Sequence, residues 1–298
     1  PATGHERPTL LLNSHIDTVR PVDGWTRNPF SPDDDGERIY GLGSNDAGAS
    51  VVSLTAAFLL LSQRQQRYNL VFLASCEEEV SGKGGIEAVL PLLPKIDVAL
   101  VGEPTEMHPA VAEKGLMVLD GEIAGKSGHA ARDEGENAIY KALPMIERLR
   151  SLSFPLTSAH LGPVKISVTQ ISAGTQHNVV PDMCRIVVDV RTTDAYTNEQ
   201  TLEMIRQAVP FCKLTPRSVR LRPSGISEQH PIVRRLVIAG RKPFGSPTLS
   251  DQALMPFPSL KIGPGESARS HTADEYITYD EIREAIQIYF TTLDGLAL

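Results

Sequence analysis

The feature that most constrains the fold of this chain is the alternation of short apolar runs with longer amphipathic runs in its first third. Thr9 to Asn13, Asn69 to Ala74 and Asp97 to Val101 are apolar and have the length of buried strands. Ala47 to Gln63 and Gly82 to Leu92 carry apolar residues at helical spacing. Strands that are apolar on both faces are typical of a parallel sheet covered by helices, so this part predicts an α/β fold.

The middle of the chain has a different pattern. Val164 to Thr169 alternates strictly between apolar and polar residues, and Arg185 to Arg191 does so less cleanly, which indicates half-solvated antiparallel strands. Helical segments are predicted at Asn137 to Leu152 and at Thr197 to Val209. The order strand, helix, strand, strand, helix, strand predicts a small α+β domain.

After Pro223 the chain returns to helices and a buried strand, at His230 to Arg241, Leu260 to Gly263 and Asp280 to Leu293. We therefore expect residues 1–113 and 223–298 to form one discontinuous domain and residues 114–222 to be an insertion. A length of 298 residues suits two domains of modest size.

Composition excludes several classes of function. The net charge of −7, without clustered Lys and Arg, argues against a nucleic-acid binder and favours small-molecule substrates. The apolar run Val51 to Leu61 is shorter than the roughly 18 to 20 residues of a membrane span, and Pro1 to Pro8 lacks the pattern of a secretory signal, so no membrane partner and a cytoplasmic location are expected. Cys76, Cys184 and Cys212 have no disulfide or zinc-knuckle spacing.

Two polar motifs lie where a ligand site would form. His15 and Asp17 end the first buried strand, and ligands of open α/β sheets bind at the carboxyl ends of strands. A lone His-x-Asp is also common as a loop ion pair. Asp46 lies in a glycine-rich loop before a helix; the loop could be a simple turn or a weak dinucleotide motif, but a carboxylate there could also bridge two cations.

Three further parts of the chain carry side chains that could bind a metal ion. Glu77, Glu78 and Glu79 follow a strand, where a divalent cation would relieve their mutual repulsion; exposed acidic runs are more often simply solvated. Glu103 closes another apolar strand and His271 lies in a late loop, and each has an ordinary alternative as a turn or loop residue. Together, two histidines and three carboxylates match oxygen and nitrogen coordination of two zinc-like ions.

The ordered motifs H-I-D, G-L-G-S-N-D, E-E-E-V, G-E-P-T and G-P-G-x-x-x-x-S-H resemble those of a metallohydrolase family. The family comprises acetylornithine deacetylase, succinyl-diaminopimelate desuccinylase, aminoacylase and carboxypeptidase G. The resemblance spans essentially the whole chain. It implies a mixed-sheet, zinc-peptidase-like catalytic domain with an inserted α+β, ferredoxin-like domain that serves as lid and dimerisation module.

The resemblance also implies a role for each residue of the candidate site. One metal ion would be held by His15 and Glu103, the other by Glu79 and His271, with Asp46 as the bridge. Asp17 would orient His15 and fix its tautomer, and Glu78 would be the general base. Glu77 and Glu78 could formally serve as the base and ligand pair, but Glu79-Val80-Ser81 matches the family register.

The inserted domain carries three further candidates by the same resemblance. His129, in Gly-Lys-Ser-Gly-His-Ala, would reach across a homodimer to the carbonyl oxygen of the substrate; otherwise it is a loop histidine. Asn178 and Arg191 would bind the amide and carboxylate ends of the substrate, although Arg191 could instead pair with a strand neighbour.

The implied reaction is hydrolysis of the amide bond of an N-acyl amino acid, closest to acetylornithine deacetylase in arginine biosynthesis. A water that bridges two divalent ions, zinc with cobalt or manganese as alternatives, would attack while Glu78 removes its proton. N-acetylcitrulline, N-succinyl amino acids and dipeptides remain open as substrates. A non-catalytic metal-binding dimer is the second class of function. Family members usually have a longer segment before the H-x-D strand, so elements of the catalytic domain are expected to be missing.

Overall fold

The computed structural model describes residues 7–132 and 134–298. In chain order the strands are β1 (Thr9–His15), β2 (Asp33–Asp34), β3 (Arg38–Tyr40), β4 (Asn69–Ser75), β5 (Val98–Val101), β6 (Ala110–Glu113), β7 (Gly115–Ala124), β8 (Lys165–Ala173), β9 (Met183–Thr192), β10 (Lys213–Pro216), β11 (Ser224–Gly225), β12 (Phe244–Ser246), β13 (Ser259–Lys261) and β14 (Tyr276–Thr278). The α-helices are α1 (Ala49–Ser62), α2 (Ile86–Val89), α3 (Ala138–Ser151), α4 (Asn198–Ala208), α5 (Pro231–Ile238) and α6 (Tyr279–Leu293). The chain divides into two compact units: Pro1–Glu113 with Ser224–Leu298, and Lys114–Pro223.

The first unit is built on a seven-stranded mixed sheet. Its strand order is β11-β6-β13-β5-β1-β4, with β12 also paired to β6. β1 is parallel to β4 and β5, and β13 is parallel to β5, so four neighbouring strands run in one direction. Their carboxyl ends therefore meet at one edge of the sheet.

Apolar side chains cover both faces of this sheet because its central strands are apolar throughout. Leu10 and Leu12 of β1 pack with Leu54 of α1 and Tyr289 of α6 on one face. Leu11 points to the other face and belongs to a second cluster. Successive side chains of a strand alternate between faces, so β1 serves both cores.

The second unit has a four-stranded antiparallel sheet in the order β10-β7-β9-β8. Alternating residues of β7 and β9, such as Leu119 and Val188, join the core of this unit together with residues of α3 and α4. Asn137 caps α3 by accepting the N–H groups of Ile139 and Tyr140, and a capping box at Thr197 begins α4. The predicted mixed-sheet α/β class with an inserted α+β segment is confirmed.

One predicted helix is much shorter than expected. In place of a helix over Gly82 to Leu92, the chain has the single turn α2 followed by a 3₁₀ turn at Leu90–Leu92. A side chain at Gly85 would lie 2.1 Å from the carbonyl oxygen of Cys76, so the glycines pack against the preceding loop instead of extending a helix.

The first unit also contains a small antiparallel sheet of β14, β3 and β2, which the sequence pattern does not indicate. Its strands have two or three residues each, which is too short for an alternating pattern to be recognised.

The segment Ser44–Ser62 is long and apolar enough, by length and composition alone, to cross a membrane. Leu54 and Leu61 of this segment are fully buried in the core of the first unit. A buried core helix of a globular unit can have the same length and hydropathy as a membrane-spanning helix.

Candidate metal centre

The topology of the first unit brings the predicted ligands together. His15 is the last residue of β1, Glu78 and Glu79 follow the end of β4, and Glu103 follows the end of β5. Because β4, β1 and β5 are parallel neighbours, these side chains meet at one edge of the sheet. His271 reaches the same place from the loop after β13.

Asp46 lies between the two histidines. Its Oδ1 atom is 3.1 Å from Nε2 of His15, and its Oδ2 atom is 3.6 Å from Nε2 of His271. Each histidine also faces a glutamate: His15 Nε2 is 3.7 Å from Oε1 of Glu103, and His271 Nε2 is 3.1 Å from Oε2 of Glu79. The two oxygens of Asp46 thus serve two separate pairs of a histidine and a glutamate.

Two groups of side chains are compact enough to hold metal ions. One comprises His15, Glu78 and Glu103, and the other His15, Asp46 and Glu79; within each, the ligand atoms lie within 4.8 Å of one another. Such sets of imidazole nitrogen and carboxylate oxygen suit zinc and similar divalent ions.

The partners of His15 test whether these residues fit a cation. Its Nδ1 atom lies 3.0 Å from the backbone carbonyl oxygen of Asp17, which can only accept, so Nδ1 carries the proton. Nε2 then faces the Asp46 carboxylate, and either a second proton or a metal ion must lie between two groups that both have lone pairs. Oε1 of Glu103 is buried without a hydrogen-bond partner among the described residues, which a cation would also relieve.

Asp17 contacts the site through both its main chain and its side chain. Its carboxylate is 3.6 Å from Nδ1 of His15, and the backbone carbonyl is the closer partner. The carboxylate instead accepts the backbone N–H groups of Glu78 and Glu79, each at 3.2 Å. Asp17 thus contacts Nδ1 of His15 through its main chain and the glutamate segment through its side chain.

Glu275 is a site residue that the sequence did not reveal. Its buried carboxylate accepts backbone N–H groups from Gly43 at 3.0 Å and from Asn45 and Asp46 at 2.9 Å each. These three hydrogen bonds of Glu275 hold the loop that carries Asp46. The peptide bond between Asp46 and Ala47 in this loop is cis. A single glutamate beside a three-residue strand carries no sequence pattern that distinguishes it from a surface glutamate.

The electrostatics of the cluster favour bound positive charge. Burial, reinforced by the carboxylates of Asp251 and Glu79, raises the pKa of Glu78 to about 8 although His15 opposes the shift. Burial and the neighbouring Glu78 also raise the pKa of Glu103. Burial lowers the pKa of His15, but Asp46, Glu103 and Glu78 outweigh it and raise the value to about 11. Without a cation, protons must compensate these carboxylates.

The remaining predicted residues lie in the second unit. His129 pairs with Val179, and the carbonyl oxygen of Asn178 accepts the N–H of Ala130 at 3.0 Å, so the segments carrying His129 and Asn178 are adjacent. Arg191 on β9 forms two hydrogen bonds to the carboxylate of Asp189, at 2.9 and 3.1 Å. This is the strand-neighbour pairing considered as its alternative role.

Residues 11–295 match the sequence model of Peptidase family M20/M25/M40. The chain belongs to this family. As a family M20 member it is a hydrolase of the metallopeptidase and amidohydrolase group, in agreement with the resemblance found in its motifs.

Known relatives in sequence include deacetylases. The acetylornithine deacetylase of Myxococcus xanthus is 30% identical over 303 residues, which cover 94% of this chain and 78% of that protein.

Solved structures show the M20 fold at lower identity. Aminopeptidase PepT from Bacillus cereus has a TM-score of 0.75 at 20% identity, covering 99% of this chain and 82% of that one. A dinuclear metal-binding peptidase of family M20 from Bacillus subtilis has a TM-score of 0.70 at 18% identity, covering 97% and 81%. The family is thus shown by sequence and fold, whereas the relatives differ in the bonds they cleave.

Proposed function

We propose that the protein is a two-metal deacylase that hydrolyses the amide bond of an N-acyl amino acid. The observation that carries the proposal is the position of Asp46, whose two oxygens face His15 and His271 separately. In the proposed site His15 and Glu103 hold one ion, Glu79 and His271 hold the other, and Asp46 is shared. Zinc is the proposed metal, with cobalt or manganese as alternatives that suit the same donors.

When bound, two such ions would polarise the amide carbonyl and make water a stronger acid. Glu78 is the proposed general base, because its half-buried carboxylate lies within 4.8 Å of the ligand atoms of His15 and Glu103 but belongs to neither of the two histidine–glutamate pairs that face Asp46. It would accept the proton of the attacking water and deliver it to the nitrogen of the leaving amine. Asp17 would keep Glu78 in place through the backbone of the glutamate segment.

His129 is proposed to stabilise the negative charge that develops on the carbonyl oxygen. Its Nδ1 atom accepts the N–H of Ala131 at 3.1 Å, so Nε2 carries the proton of a neutral ring and is the donor. Asn178 and Arg191 are proposed to bind the amide and carboxylate ends of the substrate. For Arg191 this requires that the guanidinium share or exchange its contact with Asp189.

The proposed first substrate is N-acetylornithine, because the Myxococcus relative is an acetylornithine deacetylase. Four of the proposed metal ligands, Asp46, Glu79, Glu103 and His271, line a cavity of about 410 Å³, a size suited to a small acylated amino acid. The proposed setting is arginine biosynthesis in the cytoplasm. N-acetylcitrulline and N-succinyl amino acids are alternative substrates. Cleavage of a di- or tripeptide is the second candidate function, favoured by the fold likeness to aminopeptidase PepT.

A homodimer is proposed because apolar side chains are exposed on the second unit. On α3, Tyr140 and Leu143 are 71% and 58% exposed, and Ile171 on the edge strand β8 is 55% exposed. A second copy could cover this surface and extend the sheet. Sedimentation velocity tests this, and a monomer at micromolar concentration would contradict it.

The decisive experiment measures amine release from N-acetylornithine, N-acetylcitrulline, N-succinyl-diaminopimelate and a dipeptide. The protein is first stripped with a chelator and then supplied with zinc, cobalt or manganese. Metal-dependent release from an acyl substrate supports the deacylase. Release only from the dipeptide supports the peptidase, and silence on all four with two ions bound supports a non-catalytic metal-binding protein.

A further inference from the structure

A buried lysine lies at the edge of the candidate catalytic cavity. Lys261, the last residue of β13, is only 3% exposed, and its Nζ atom is 3.0 Å from Oε2 of Glu113. The ammonium group also donates to the carbonyl oxygen and the hydroxyl of Thr248, at 3.3 and 3.1 Å. An ammonium group has three protons, so these three acceptors use its donor capacity in full.

The carboxylate of Glu113, which pairs with Lys261, also accepts several other hydrogen bonds. Glu113 ends β6 and is fully buried, and it accepts the N–H and the hydroxyl of Ser250, at 3.0 and 2.7 Å. It also accepts the side-chain amide of Gln252 at 3.1 Å. The Lys261–Glu113 pair therefore ties the ends of two sheet strands to the segment from Thr248 to Gln252.

This segment continues into the cavity and toward the ligands. Ser246, Pro247, Thr248 and Leu249, here called the cavity wall, line the same cavity as four of the proposed metal ligands. Beyond the wall, the carboxylate of Asp251 accepts hydrogen bonds from Asn13 and Ser75, two residues before His15 and three before Glu78. The cavity wall is thus held at Thr248 and is followed in the chain by residues with buried polar contacts.

We propose that Lys261 and Glu113 are positioning residues that fix the cavity wall, and that the wall sets affinity for the substrate rather than the rate of the chemical step. The proposal rests on the deacylase function for its kinetic part only. Breaking a buried ion pair on one side leaves the other charge uncompensated, so the loss of Lys261 should release Thr248 and leave Glu113 with an uncompensated charge.

The test compares Lys261→Met with Lys95→Met, a control on an 87% exposed lysine. Lys261→Met should accelerate hydrogen exchange of the amides of residues 246, 248 and 249. It should also raise KM by about tenfold, as expected for the loss of one or two hydrogen bonds, with kcat and the bound-metal content little changed. The control should leave all of these quantities at the wild-type level.

Two further variants separate positioning from plain destabilisation. Lys261→Met combined with Glu113→Gln removes the uncompensated charge, so it should recover thermal stability while KM stays raised. Thr248→Val removes only one acceptor of Lys261 and should raise KM less than Lys261→Met does. If Lys261→Met does not fold, the KM of Thr248→Val still tests the positioning role of Lys261.

The outcomes are distinguishable. Unchanged exchange in the cavity wall, or a KM restored together with stability in the double variant, would overturn the positioning role. A loss confined to N-succinyl substrates would also overturn it, because Lys261 would then contact the substrate carboxylate directly. If the wild type cleaves no acyl substrate, the proposed function fails, but the exchange measurement still decides the role of the pair.

Discussion

The carboxylate of Glu275 accepts the backbone N–H of Asp46, the residue that faces both histidines of the site. A glutamine at this position keeps one acceptor oxygen and turns the other into a donor, which would oppose an N–H of the loop. We therefore expect Glu275→Gln to weaken metal binding by about tenfold, the effect of one lost hydrogen bond to a charged group. Metal titration checks this, with Glu203→Gln on the exposed face of α4 as the control; equal affinities in both variants would contradict the role.

Glu78→Gln should lower kcat by at least a factor of about 100, because removal of a general base typically costs 10² to 10⁴ in rate. The bound-metal content should remain at the wild-type level, since the two ligand pairs with Asp46 are intact. Kinetics and metal analysis on the same sample check this prediction. If activity is kept, Glu78 is not the base, and if metal is lost, it is a ligand.

Metal binding should release protons. Burial raises the pKa of Glu78 from 4.5 to about 8, so this carboxyl is largely protonated at neutral pH in the metal-free protein. A cation bound beside Glu78 favours its ionised form, and His15 as a ligand must also lose a proton, so apparent metal affinity should rise as the pH increases from 6. Calorimetry in buffers of different ionisation enthalpy measures the protons released, and a value of zero at pH 7 would contradict the prediction.

The same shift predicts how the stability of the metal-free protein changes with pH. A carboxyl whose pKa is raised in the folded state stabilises the fold fully below 4.5 and loses that contribution as the pH rises through about 8. We expect the Tm of chelator-treated protein to fall from pH 6 to 9 and the increment from added zinc to grow over that range. A Tm of the metal-free protein that rises with pH would show that other groups dominate.

Arg269 holds the loop that carries His271. Its guanidinium donates to both carboxylate oxygens of Glu281, at 2.9 and 3.0 Å, and also contacts Glu266. Arg269→Met should therefore weaken binding of one metal ion more than the other, because Asp46 and His15 keep their own supports. Stepwise metal titration checks this against Arg283→Met, which removes an exposed arginine of α6; a uniform loss of both ions would argue against a local effect.

The proposed ligands at strand ends could be predicted from the sequence because strand position and residue type are local properties. His15, Glu79 and Glu103 each follow an apolar run that reads as a buried strand, and the parallel sheet brings them together. The residues that hold the site loops in place, such as Glu275, could not be predicted in this way. Glu275 and Asp46 are separated by 229 residues, and nothing in the local pattern couples them.

The buried ionic pair of Glu113 and Lys261 was missed for a related reason. Each ends a short strand whose other residues are small or apolar, and a single charged residue at a strand end is usually exposed. The antiparallel pairing of β6 with β13 brings the two strands side by side, and the side chains of Lys261 and Glu113 then meet at 3.0 Å. Likewise, the sequence left open whether Arg191 faces a substrate or a neighbour, because Asp189 lies on the same face of β9.

The parallel pairing of β1 with β4 and β5 determines where the segments with three proposed ligands, His15, Glu79 and Glu103, lie at the edge of the sheet. His15 is in register with Ser75, and Asn13 with Val101, and neighbouring strands lie about 4.8 Å apart. The places where the chain leaves the sheet toward Glu79 and Glu103 are therefore fixed relative to His15 by backbone hydrogen bonds, which depend little on side-chain substitutions in the core. Asp46 and His271 come from loops, so adaptation of this scaffold to another metal or another acyl group is expected to proceed through those two loops while the sheet stays constant.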